Sequence, residues 1–503
     1  MSSIHVHTIL SHLQAAGVTP ARLAWDSRRV AAGDVFVAWP GAQADGRHFI
    51  GMALERGAGA VLWDDAGGFE VGDLPVPGLA VPGLKALVGH LAHEVHGRPS
   101  EALWLAGVTG TNGKTTVSQW IAAALGELGQ PCGVIGTLGC GFPGALAEGL
   151  NTTPGAVETH RLLADFRDGG AAAAAMEVSS IGIEDGRING LAFDVALFTN
   201  LTRDHLDYHG SMERYAAAKA RLFDMPGLGG VVMNADDPFG RQQIERLAGQ
   251  GDKRIIAYAC ESWLHALPPA VEPLCAGHLR LSPSGLKFEV DWCGQRGELG
   301  VNLVAQFNVS NLLAVLGALL LRGVPFEEAL WAVGRLKPPA GRMQVVGGVG
   351  EPLIVIDYAH SPDALAKVLE ALRPTATARG GRVICVFGCG GDRDPGKRPL
   401  MGEIAGALAD RVVVTSDNPR SESPEHIAEA ILAGVPGAEV QLDRARAIRM
   451  AIAESAADDV VVLAGKGHEP YQEIGGQRVP FSDVEQARQA LHEWNMKVAG
   501  GAR

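Results

Sequence analysis

The clearest pattern in the chain is a short apolar run followed at once by a polar loop. In the last third, four apolar runs end in loops rich in charged and amide side chains: 353–356, 383–387, 412–414 and 460–463. Short uninterrupted apolar runs are typical of strands buried on both faces of a parallel sheet. Because the carboxyl ends of such strands share one edge, where ligands bind, the pattern predicts a Rossmann-like C-terminal domain. Ser361 and Pro362 are predicted to cap and begin one of its helices.

The same arrangement in the middle of the chain contains a glycine-rich loop. The apolar run 103–106 leads into GVTGTNGKTT at 107–116, and an apolar pattern with helical spacing continues from Val117 to Leu125. Strand, glycine-rich loop and helix together are the context of a phosphate-binding loop. The strict pattern has glycine six places before the lysine, where this chain has valine, so the loop is a variant. We expect Lys114 to reach the outer phosphates and Thr115 to hold Mg²⁺.

Two further apolar runs in this region end in ionisable side chains. The small-residue run 171–176 ends at Glu177, and the run 197–200 opens into 201–210, which contains two aspartates and two histidines. A carboxylate at the carboxyl end of a parallel strand suits metal-linked chemistry. The alternative for Glu177 is a solvated charge at the end of the strand. For 201–210 we expect a coordinating or phosphate-facing role.

Later segments of the central region are less specific. Residues 215–223 have a helical pattern, and on the residues alone Lys219 is expected to be a solvated surface amine. Residues 260–300 are β-like and rich in glycine and proline, without clear chemistry. A strongly apolar helix begins at 307–311, with Asn308 and Asn311 near its start.

The N-terminal region alternates strand and helix signals. We predict strands at 34–39 and 60–63 and a short helix at 49–56. The loops 25–29 and 41–47 offer hydroxyl, amide and guanidinium donors, which suit a ligand with phosphates and hydroxyls. They are also compatible with ordinary solvated turns.

The chain length of 503 residues corresponds to about three domains of roughly 150 residues each. Adjacent prolines and a glycine at 336–342 predict a linker. We therefore predict an α/β protein with three domains, at 1–98, 99–338 and 339–503.

Composition narrows the class of protein. With 47% apolar and 20% charged residues, the chain is an ordinary globular protein. A net charge of −13 argues against sequence-blind nucleic-acid binding. Seven cysteines without metal-ligand spacing predict reduced thiols in a cytoplasm. No signal peptide and no run long enough to span a bilayer is evident, so we predict a cytoplasmic protein, without membrane insertion and monomeric.

Together, the motifs resemble those of the Mur ligases of cell-wall synthesis. The segments that carry the resemblance are 110–116, 176–180, 200–210, 307–311, 341–342, 357–360, 417–420 and 465–469. The resemblance covers essentially the whole chain. Within the family, the chain is similar to the branch that adds the third amino acid to UDP-N-acetylmuramoyl-L-alanyl-D-glutamate.

The resemblance implies an N-terminal α/β UDP-binding domain, a central P-loop ATPase domain and a C-terminal Rossmann-like domain for the incoming amino acid. It implies that ATP phosphorylates the D-glutamyl carboxylate and that an amine then attacks the acyl phosphate. Since this chemistry brings anions together, metal ions and cationic donors must neutralise charge.

The resemblance also assigns the catalytic and metal-binding residues. Lys114, Glu177, His205 and Lys219 are implied to be catalytic. Thr115 and Glu177 would hold one Mg²⁺, while His205, Glu177 and Lys219 would serve a second. The family carbamylates the lysine that matches Lys219, which reverses the expectation of a surface amine.

Binding residues follow by the same resemblance. Those implied for ATP are Gly110, Thr111, Asn112, Gly113, Lys114, Thr115, Thr116, Asn308, Asn311, Arg342 and Asp357. Those implied for the UDP-dipeptide are Trp25, Ser27, Ala42, Gln43, Ala44, Asn151, Thr152, Thr153, Ser179, Asp185 and Arg187. Two positions of the peptide-side pocket depart from the family pattern, with Ile181 in place of histidine and Asp185 in place of glutamine.

The choice of amino acid is implied by the segment Asp-Asn-Pro-Arg at 417–420. In the family this form accompanies meso-diaminopimelate, whose second carboxylate a guanidinium can bind with two hydrogen bonds. The residues implied for diaminopimelate are Arg393, Asp417, Asn418, Pro419, Arg420, Gly465 and Glu469.

Three alternatives remain open. The first is the lysine-adding form of the same ligase, in which the arginine is lacking. The second is a ligase like folylpolyglutamate synthase, against which the 417–420 segment and the UDP-type N-terminal domain argue. The third is a nucleotide-dependent regulator without ligase turnover, which need not retain Glu177, His205 and Lys219 together.

Overall fold

The computed structural model of the protein describes residues 2–41, 44–147, 149, 151–260, 267–282 and 285–501. These residues form two compact units. The first unit holds the residues up to 259 together with 267–274 and 314–332, and the second holds 260, 275–313 and 333–501. Within the described ranges, no helix is long and apolar enough to cross a membrane.

The first unit begins with a small parallel sheet. Its elements are α1 (Ser2–Ala15), β1 (Leu23–Ala24), β2 (Val35–Ala38), α2 (Ile50–Glu55), β3 (Ala60–Trp63), β4 (Gly78–Ala80), α3 (Leu84–Val95) and α4 (Pro99–Ala102). The strands pair in parallel in the order β1-β2-β3-β4. Val35 and Val37 pack into a core shared with α1 and α3, whereas Phe36 and Ala38 pack against α2 on the other face. Covering both faces explains why β2 is apolar throughout.

The larger sheet of the first unit places the glycine-rich loop at a topological switch point. Its elements are β5 (Trp104–Thr109), α5 (Lys114–Glu127), β6 (Cys132–Gly136), β7 (Gly139–Phe142), β8 (Ala145–Ala147), α6 (Ala156–Asp168), β9 (Ala173–Glu177), α7 (Ser180–Glu184), β10 (Val195–Phe198), α8 (Leu206–His209), α9 (Met212–Ala220), β11 (Gly230–Asn234), α10 (Pro238–Ala248) and β12 (Arg254–Ala259). The strand order is β12-β11-β10-β5-β9-β6-β7-β8, parallel except at β7 and β8. The chain leaves β5 toward β6 on one side and later places β10 on the other. Ligands bind at such a point in open α/β sheets.

Three elements continue from one unit into the other: β13 (Val271–Ser282), α11 (Phe307–Leu321) and α12 (Phe326–Gly334). In the second unit, β14 (Gly285–Trp292) and β15 (Gln295–Val301) form an antiparallel pair.

The rest of the second unit is a Rossmann-like domain. Its elements are β16 (Gln344–Val346), β17 (Leu353–Asp357), α13 (Pro362–Arg379), β18 (Val383–Phe387), α14 (Lys397–Leu408), β19 (Arg411–Val414), α15 (Pro424–Leu432), β20 (Glu439–Val440), α16 (Arg444–Ala453), β21 (Val460–Ala464), β22 (Tyr471–Ile474), β23 (Gln477–Pro480) and α17 (Asp483–Gly501). The main sheet has the order β16-β17-β21-β18-β19-β20, and only β16 runs antiparallel to its neighbour. The carboxyl ends of β17, β18, β19 and β21 therefore share one edge, as predicted.

Most elements predicted from apolar runs are confirmed, including all four strands of the C-terminal domain. Ser361 caps α13, where its hydroxyl accepts a hydrogen bond from Ala364 N at 3.4 Å, and Pro362 is the first helical residue. Residues 260–300, described as β-like from the sequence, include β14, where Leu286, Phe288 and Val290 are buried and the residues between them are exposed. The boundaries at 98 and 338 stay a prediction.

A buried ion pair ties the last two helices of the second unit to its sheet. The Arg444 guanidinium donates to both carboxylate oxygens of Asp483, at 2.7 and 2.6 Å, and both side chains are fully buried. The same guanidinium donates to the carbonyls of Ser416 and Ala464, at 3.3 and 3.0 Å. These carbonyls follow β19 and end β21, so one side chain connects the exits of two strands.

We expect Asp483→Ala to reduce the free energy of unfolding by about 3–5 kcal/mol, since it leaves a buried guanidinium without a counter-charge. Denaturant unfolding followed by fluorescence measures the change. The matched control is Glu439→Ala, which removes an exposed partner of Arg411 while Glu454 remains. It should cost less than about 1 kcal/mol. Equal losses in the two variants would contradict this role for the buried pair.

Candidate functional site

The loop between β5 and α5 needs glycine at two positions. Gly110 has φ +147° and Gly113 has φ +87°, both unfavourable for residues with a side chain. A Cβ atom at Gly110 would also collide with the hydroxyl of Thr199. The first N–H groups of α5 lack intrahelical partners, and a helix N-terminus of this kind binds anions.

The end of β10 fixes the backbone of this loop. Asn200 accepts from Thr111 N through its carbonyl at 2.8 Å and from Asn112 N through Oδ1 at 3.0 Å. Thr199 Oγ1 and Asn200 Nδ2 both donate to the Asn112 carbonyl, at 2.6 and 3.2 Å. The loop is thus held in shape by the neighbouring strand.

Lys114 lies back across the loop. Its ammonium group donates to the carbonyls of Gly110 and Thr111, at 2.9 Å each. This places a positive charge over the turn where a phosphate-binding loop holds its phosphates.

Glu177 ends β9 and is 1% exposed. One carboxylate oxygen accepts from the Thr115 hydroxyl at 3.0 Å and the Thr137 hydroxyl at 3.1 Å, and the other accepts from Thr137 N at 2.7 Å. Among the described residues, none with a basic side chain forms an ion pair with Glu177. A buried carboxylate without a cationic partner, beside a threonine hydroxyl, offers the hard oxygen ligands that Mg²⁺ prefers.

Lys219 is not a surface amine, so the expectation from residue type alone is wrong. It is 1% exposed, and its Nζ donates to the Gly110 carbonyl at 2.8 Å. The amine also lies 4.5 Å from the centre of the Tyr215 ring. Burial, with the nearby charge of Lys114, holds the pKa of Lys219 well below its usual value. The helix α9 turns this side chain toward the loop rather than toward solvent.

The two histidines of 201–210 differ. His205 has φ +51°, and its half-exposed ring lies 3.5 Å from Asp204. His209 is buried, with Nε2 2.9 Å from the Ser180 hydroxyl, and burial lowers its pKa. Within the described part of the chain, no three His, Cys, Asp or Glu side chains are grouped closely enough to hold a metal ion. The metal set that includes His205 and a modified Lys219 stays a prediction.

Two neighbouring cavities in the first unit share Trp25 and Trp39. One of about 520 Å³ is lined by the 3₁₀ turn at Ser27 and by Ala44, and one of about 490 Å³ is lined by basic and polar side chains. Polar and charged side chains of the second cavity are Arg29, Lys85, Asn151, Glu158, Arg161, Asp185 and Arg187. Of the residues predicted to bind the UDP-dipeptide, Ala42 and Gln43 lie outside the described residues.

Thr153 and Ser179 have local structural bonds. The Thr153 hydroxyl lies 2.9 Å from the Glu177 carbonyl and 3.0 Å from Ser179 N, and Ser179 Oγ caps α7. Thr152 Oγ1 is 3.0 Å from the hydroxyl of Thr137. Asn151 and Pro154, which flank Thr152 and Thr153 in the chain, line the second cavity.

The departure from the family at Asp185 produces an ionic cluster. Arg187 donates to Asp185 at 2.8 Å and to the Thr153 carbonyl at 2.9 Å, and Lys85 lies 3.6 Å from Asp185. An aspartate therefore compensates two basic groups at the cavity wall.

In the second unit, four residues predicted for ATP form local contacts. Asn308 donates to the Val304 carbonyl at 2.8 Å, and Asn311 donates to Asn308 Oδ1 at 3.2 Å. Asp357 accepts from two backbone N–H groups, and burial raises its pKa. The Arg342 guanidinium lies 4.9 Å from the ring centre of Tyr358.

Three residues at the edge of the C-terminal sheet form a buried polar cluster. Lys466 is fully buried and donates to Asn418 Oδ1 at 3.0 Å and Glu469 Oε2 at 2.9 Å. Asn418 donates to the same Glu469 oxygen at 2.7 Å. The Glu469 side chain is 19% exposed, and its carboxylate is the kind of acceptor that an ammonium group needs. Beside this cluster, burial raises the pKa of Asp417, and Gly465 leaves room for its carboxylate.

Arg420 and Arg393 flank Gly390 at the same edge. A Cβ atom at Gly390 would lie 3.0 Å from Arg420 Nη1 and 3.9 Å from Arg393 Cγ. Arg393 is exposed, whereas the Arg420 side chain is 22% exposed and Pro419 is buried. The structure thus brings Arg393, Asn418, Arg420, Gly465 and Glu469 to one edge, where a zwitterion with an extra carboxylate fits by charge.

Sequence reasoning missed several residues of the site. Thr137 is not among the predicted site residues, although it binds the Glu177 carboxylate with two groups. Lys466 and Trp39 were also not predicted. A signal existed for Lys466, which lies between two glycines directly after a strand.

Known families match the chain in three successive segments. These are "Mur ligase family, catalytic domain" at 22–96, "Mur ligase middle domain" at 108–319 and "Mur ligase, glutamate ligase domain" at 341–467. This order confirms the predicted α/β architecture with N-terminal, middle and C-terminal domains.

Named relatives match over nearly the full length. The chain is 49% identical over 490 residues to the UDP-N-acetylmuramoyl-L-alanyl-D-glutamate–2,6-diaminopimelate ligase of Chromobacterium violaceum, covering 96% of this chain and 97% of that protein. It is 50% identical over 481 residues to the protein of that name in Pseudomonas aeruginosa, covering 95% and 96%. A solved structure under the same name has 36% identity and a TM-score of 0.70, over 95% of both chains.

We expect Asn200→Ala to weaken nucleotide binding roughly 10-fold, because the glycine-rich loop loses the side chain that holds Asn112. Titration with a fluorescent ATP analogue measures the dissociation constant. Asn495→Ala, which removes an amide bonded to Glu351 in the second unit, is the matched control. Wild-type nucleotide affinity in the Asn200 variant would show that the loop keeps its shape without this contact.

Proposed function

The chain belongs to the Mur ligase family, and from this we propose that it is the ATP-dependent ligase that adds meso-diaminopimelate to UDP-N-acetylmuramoyl-L-alanyl-D-glutamate. Its relatives of about half-identical sequence bear this activity in their names. The observation that carries the choice of amino acid is the basic and polar edge around Arg420 in the second unit. The reaction belongs to peptidoglycan precursor synthesis, and its nucleotide substrates place it in the cytoplasm.

The first step activates the D-glutamyl carboxylate. A carboxylate oxygen attacks the γ-phosphorus of ATP, and the bond from the γ-phosphorus to the β-phosphate oxygen breaks. ADP departs, and the product is an acyl phosphate. Lys114 would stabilise the charge on the transferred phosphoryl group, and the N-terminus of α5 would bind its oxygens. Thr115 and Glu177 would hold Mg²⁺, which neutralises phosphate charge when bound.

Lys219 would act as a carbamate in this step. An amine must be unprotonated to attack CO₂, and the lowered pKa of Lys219 favours that form. The neutral amine would form a bond to the carbon of CO₂ and release one proton to solvent, which gives a carbamate anion near the charge of Lys114. The product would provide an oxygen ligand for metal, together with Glu177 and His205.

The second step forms the amide bond. The amino nitrogen of diaminopimelate attacks the acyl carbon, and phosphate leaves the tetrahedral intermediate. Glu469 would bind an ammonium group of the incoming amino acid, and Arg393 would bind a carboxylate. Arg420 would bind the second carboxylate, which lysine lacks.

The UDP-dipeptide would occupy the two cavities of the first unit. The cavity at Ser27 and Ala44 suits the nucleotide, and the one lined by Asn151, Asp185 and Arg187 suits the muramoyl-peptide. Their basic side chains compensate the diphosphate although the whole chain carries a net charge of −13. A monomeric state remains our expectation.

The alternatives fit the site less well. A lysine-adding ligase would leave the Arg420 guanidinium opposite an aliphatic ammonium group, which is repulsive. A regulator without turnover would not require the buried pair of Glu177 and Lys219 beside the same loop. A phosphate-release assay tests all of these functions. Release should require both the UDP-dipeptide and diaminopimelate, and lysine is assayed in parallel in place of diaminopimelate.

We expect Arg420→Ala to lower kcat/KM for diaminopimelate by on the order of 100-fold or more, since the second carboxylate loses its charge-paired donor. ATP binding should be unchanged. Coupled phosphate-release assays and nucleotide titration give the two values, and the exposed Arg449→Ala serves as control. Unchanged diaminopimelate turnover would overturn the assignment of the amino acid.

We expect Lys219→Ala to lose nearly all turnover, on the order of 1000-fold, and to recover part of it with added short-chain carboxylic acids, because these replace the missing anionic ligand. Wild-type activity should fall when CO₂ and bicarbonate are removed and return when they are restored. Lys253→Ala, which removes a lysine paired with Asp252, is the control. Failure of every carboxylic acid to restore turnover, with no response to bicarbonate, would contradict the carbamate.

A further inference from the structure

The hairpin of β22 and β23 supports the segment 417–420 from one side, and Glu473 makes most of the contacts. Glu473 N donates to Asn418 Oδ1 at 3.0 Å, and the Glu473 carbonyl accepts from Arg420 N at 2.9 Å. The Glu473 carboxylate lies 3.3 Å from Arg420 Nε. Glu473 therefore contacts the side chains of Asn418 and Arg420, two of the residues predicted to bind diaminopimelate.

The hairpin also fixes an unfavourable backbone conformation. Arg420 has φ +53°, in the left-handed region that costs a residue with a side chain free energy. Both backbone polar groups of Arg420 bond to the hairpin. Its N–H donates to the Glu473 carbonyl, and its carbonyl accepts from Gly475 N at 2.8 Å. The tight turn has Gly475 and Gly476 with φ +58° and +77°. These bonds maintain a backbone geometry that would otherwise relax.

The contacts leave one end of the Arg420 guanidinium available. Nη1 donates to the Gly391 carbonyl at 2.6 Å, and the Nε edge is occupied by Glu473. Among the described residues, none accepts a hydrogen bond from Nη2. A carboxylate that binds with two hydrogen bonds must then use the outer end formed by Nη1 and Nη2, since the alternative edge is blocked.

We propose that Glu473 is a specificity-determining positioning residue, which orients Arg420 so that the Nη1–Nη2 end receives the second carboxylate of diaminopimelate. This inference rests on the proposed function. Glu473 acts through Arg420 and does not itself touch the reacting atoms. Without it, the guanidinium can rotate and offer either edge, so the productive orientation is populated less.

Steady-state kinetics of Glu473→Ala and Glu473→Gln test this role. In the alanine variant we expect KM for diaminopimelate to rise about 10-fold while kcat changes less than about 2-fold, because orientation is lost and the reacting groups are intact. Glutamine keeps the size of the side chain and an oxygen beside Nε but loses the charge, so its effect should be smaller. KM for ATP and for the UDP-dipeptide should not change.

Lysine distinguishes positioning from a general structural role. Because lysine lacks the second carboxylate, its kcat/KM should be the same in wild type and variant, and the preference for diaminopimelate should fall about 10-fold. Glu439→Ala, which removes an ion-pair partner elsewhere on the same domain, should leave both substrates unaffected.

An unchanged KM for diaminopimelate in both variants would overturn the inference. So would equal losses for diaminopimelate, lysine and ATP, which indicate general damage. If the alanine variant does not fold, the preference ratio of the glutamine variant decides the question in the same way. No diaminopimelate turnover in the wild-type chain would instead overturn the proposed function itself.

Discussion

Two amino groups converge on a single carbonyl oxygen, because Lys114 and Lys219 both donate to Gly110. Two ammonium groups at such close range repel each other, and one of them is buried. Burial and the charge of Lys114 both disfavour the protonated form of Lys219 and lower its pKa. The glycine-rich loop thus has two lysines on one carbonyl, and the pKa of the buried one is lowered. The end of β10 holds the loop in shape, and the loop places its Gly110 carbonyl where both amino groups donate to it.

The two units present different polar groups at the edges where their strands end. In the first unit, β5, β9 and β10 bring the loop, Glu177 and Asn200 together at one sheet edge. In the second unit, β18, β19 and β21 bring together the groups for a zwitterion. Both edges consist of short polar loops that directly follow buried strands. The two edges differ in the charges that these loops carry. The edge in the first unit offers N–H groups and lysines, which suit anionic phosphates, whereas the edge in the second unit offers a carboxylate and two guanidinium groups.

Sequence patterns predicted those features of the structure that depend only on residues close together in the chain. The glycine-rich loop, Glu177 at a strand end and the Ser361 cap need only a few adjacent residues to be identified. The burial of Lys219 depends instead on how α9 packs against a loop about a hundred residues earlier, and no periodicity of 215–223 reports it. Thr137 and Glu473 were missed for the same reason, since each acts through a partner distant in the chain. The resemblance to a family supplied Lys219, but neither of the other two.

The Arg444 guanidinium joins the carbonyl after β19 to the carbonyl that ends β21, and the segments 417–420 and 465–469 begin directly behind these points. The two segments therefore share one anchor and do not vary as separate modules. If only one segment is replaced by the sequence of a ligase that prefers another amino acid, its new side chains will lie against the unchanged side chains of the other segment. To change the amino acid that the protein accepts, both segments must therefore be exchanged together, along with Arg444 and Asp483.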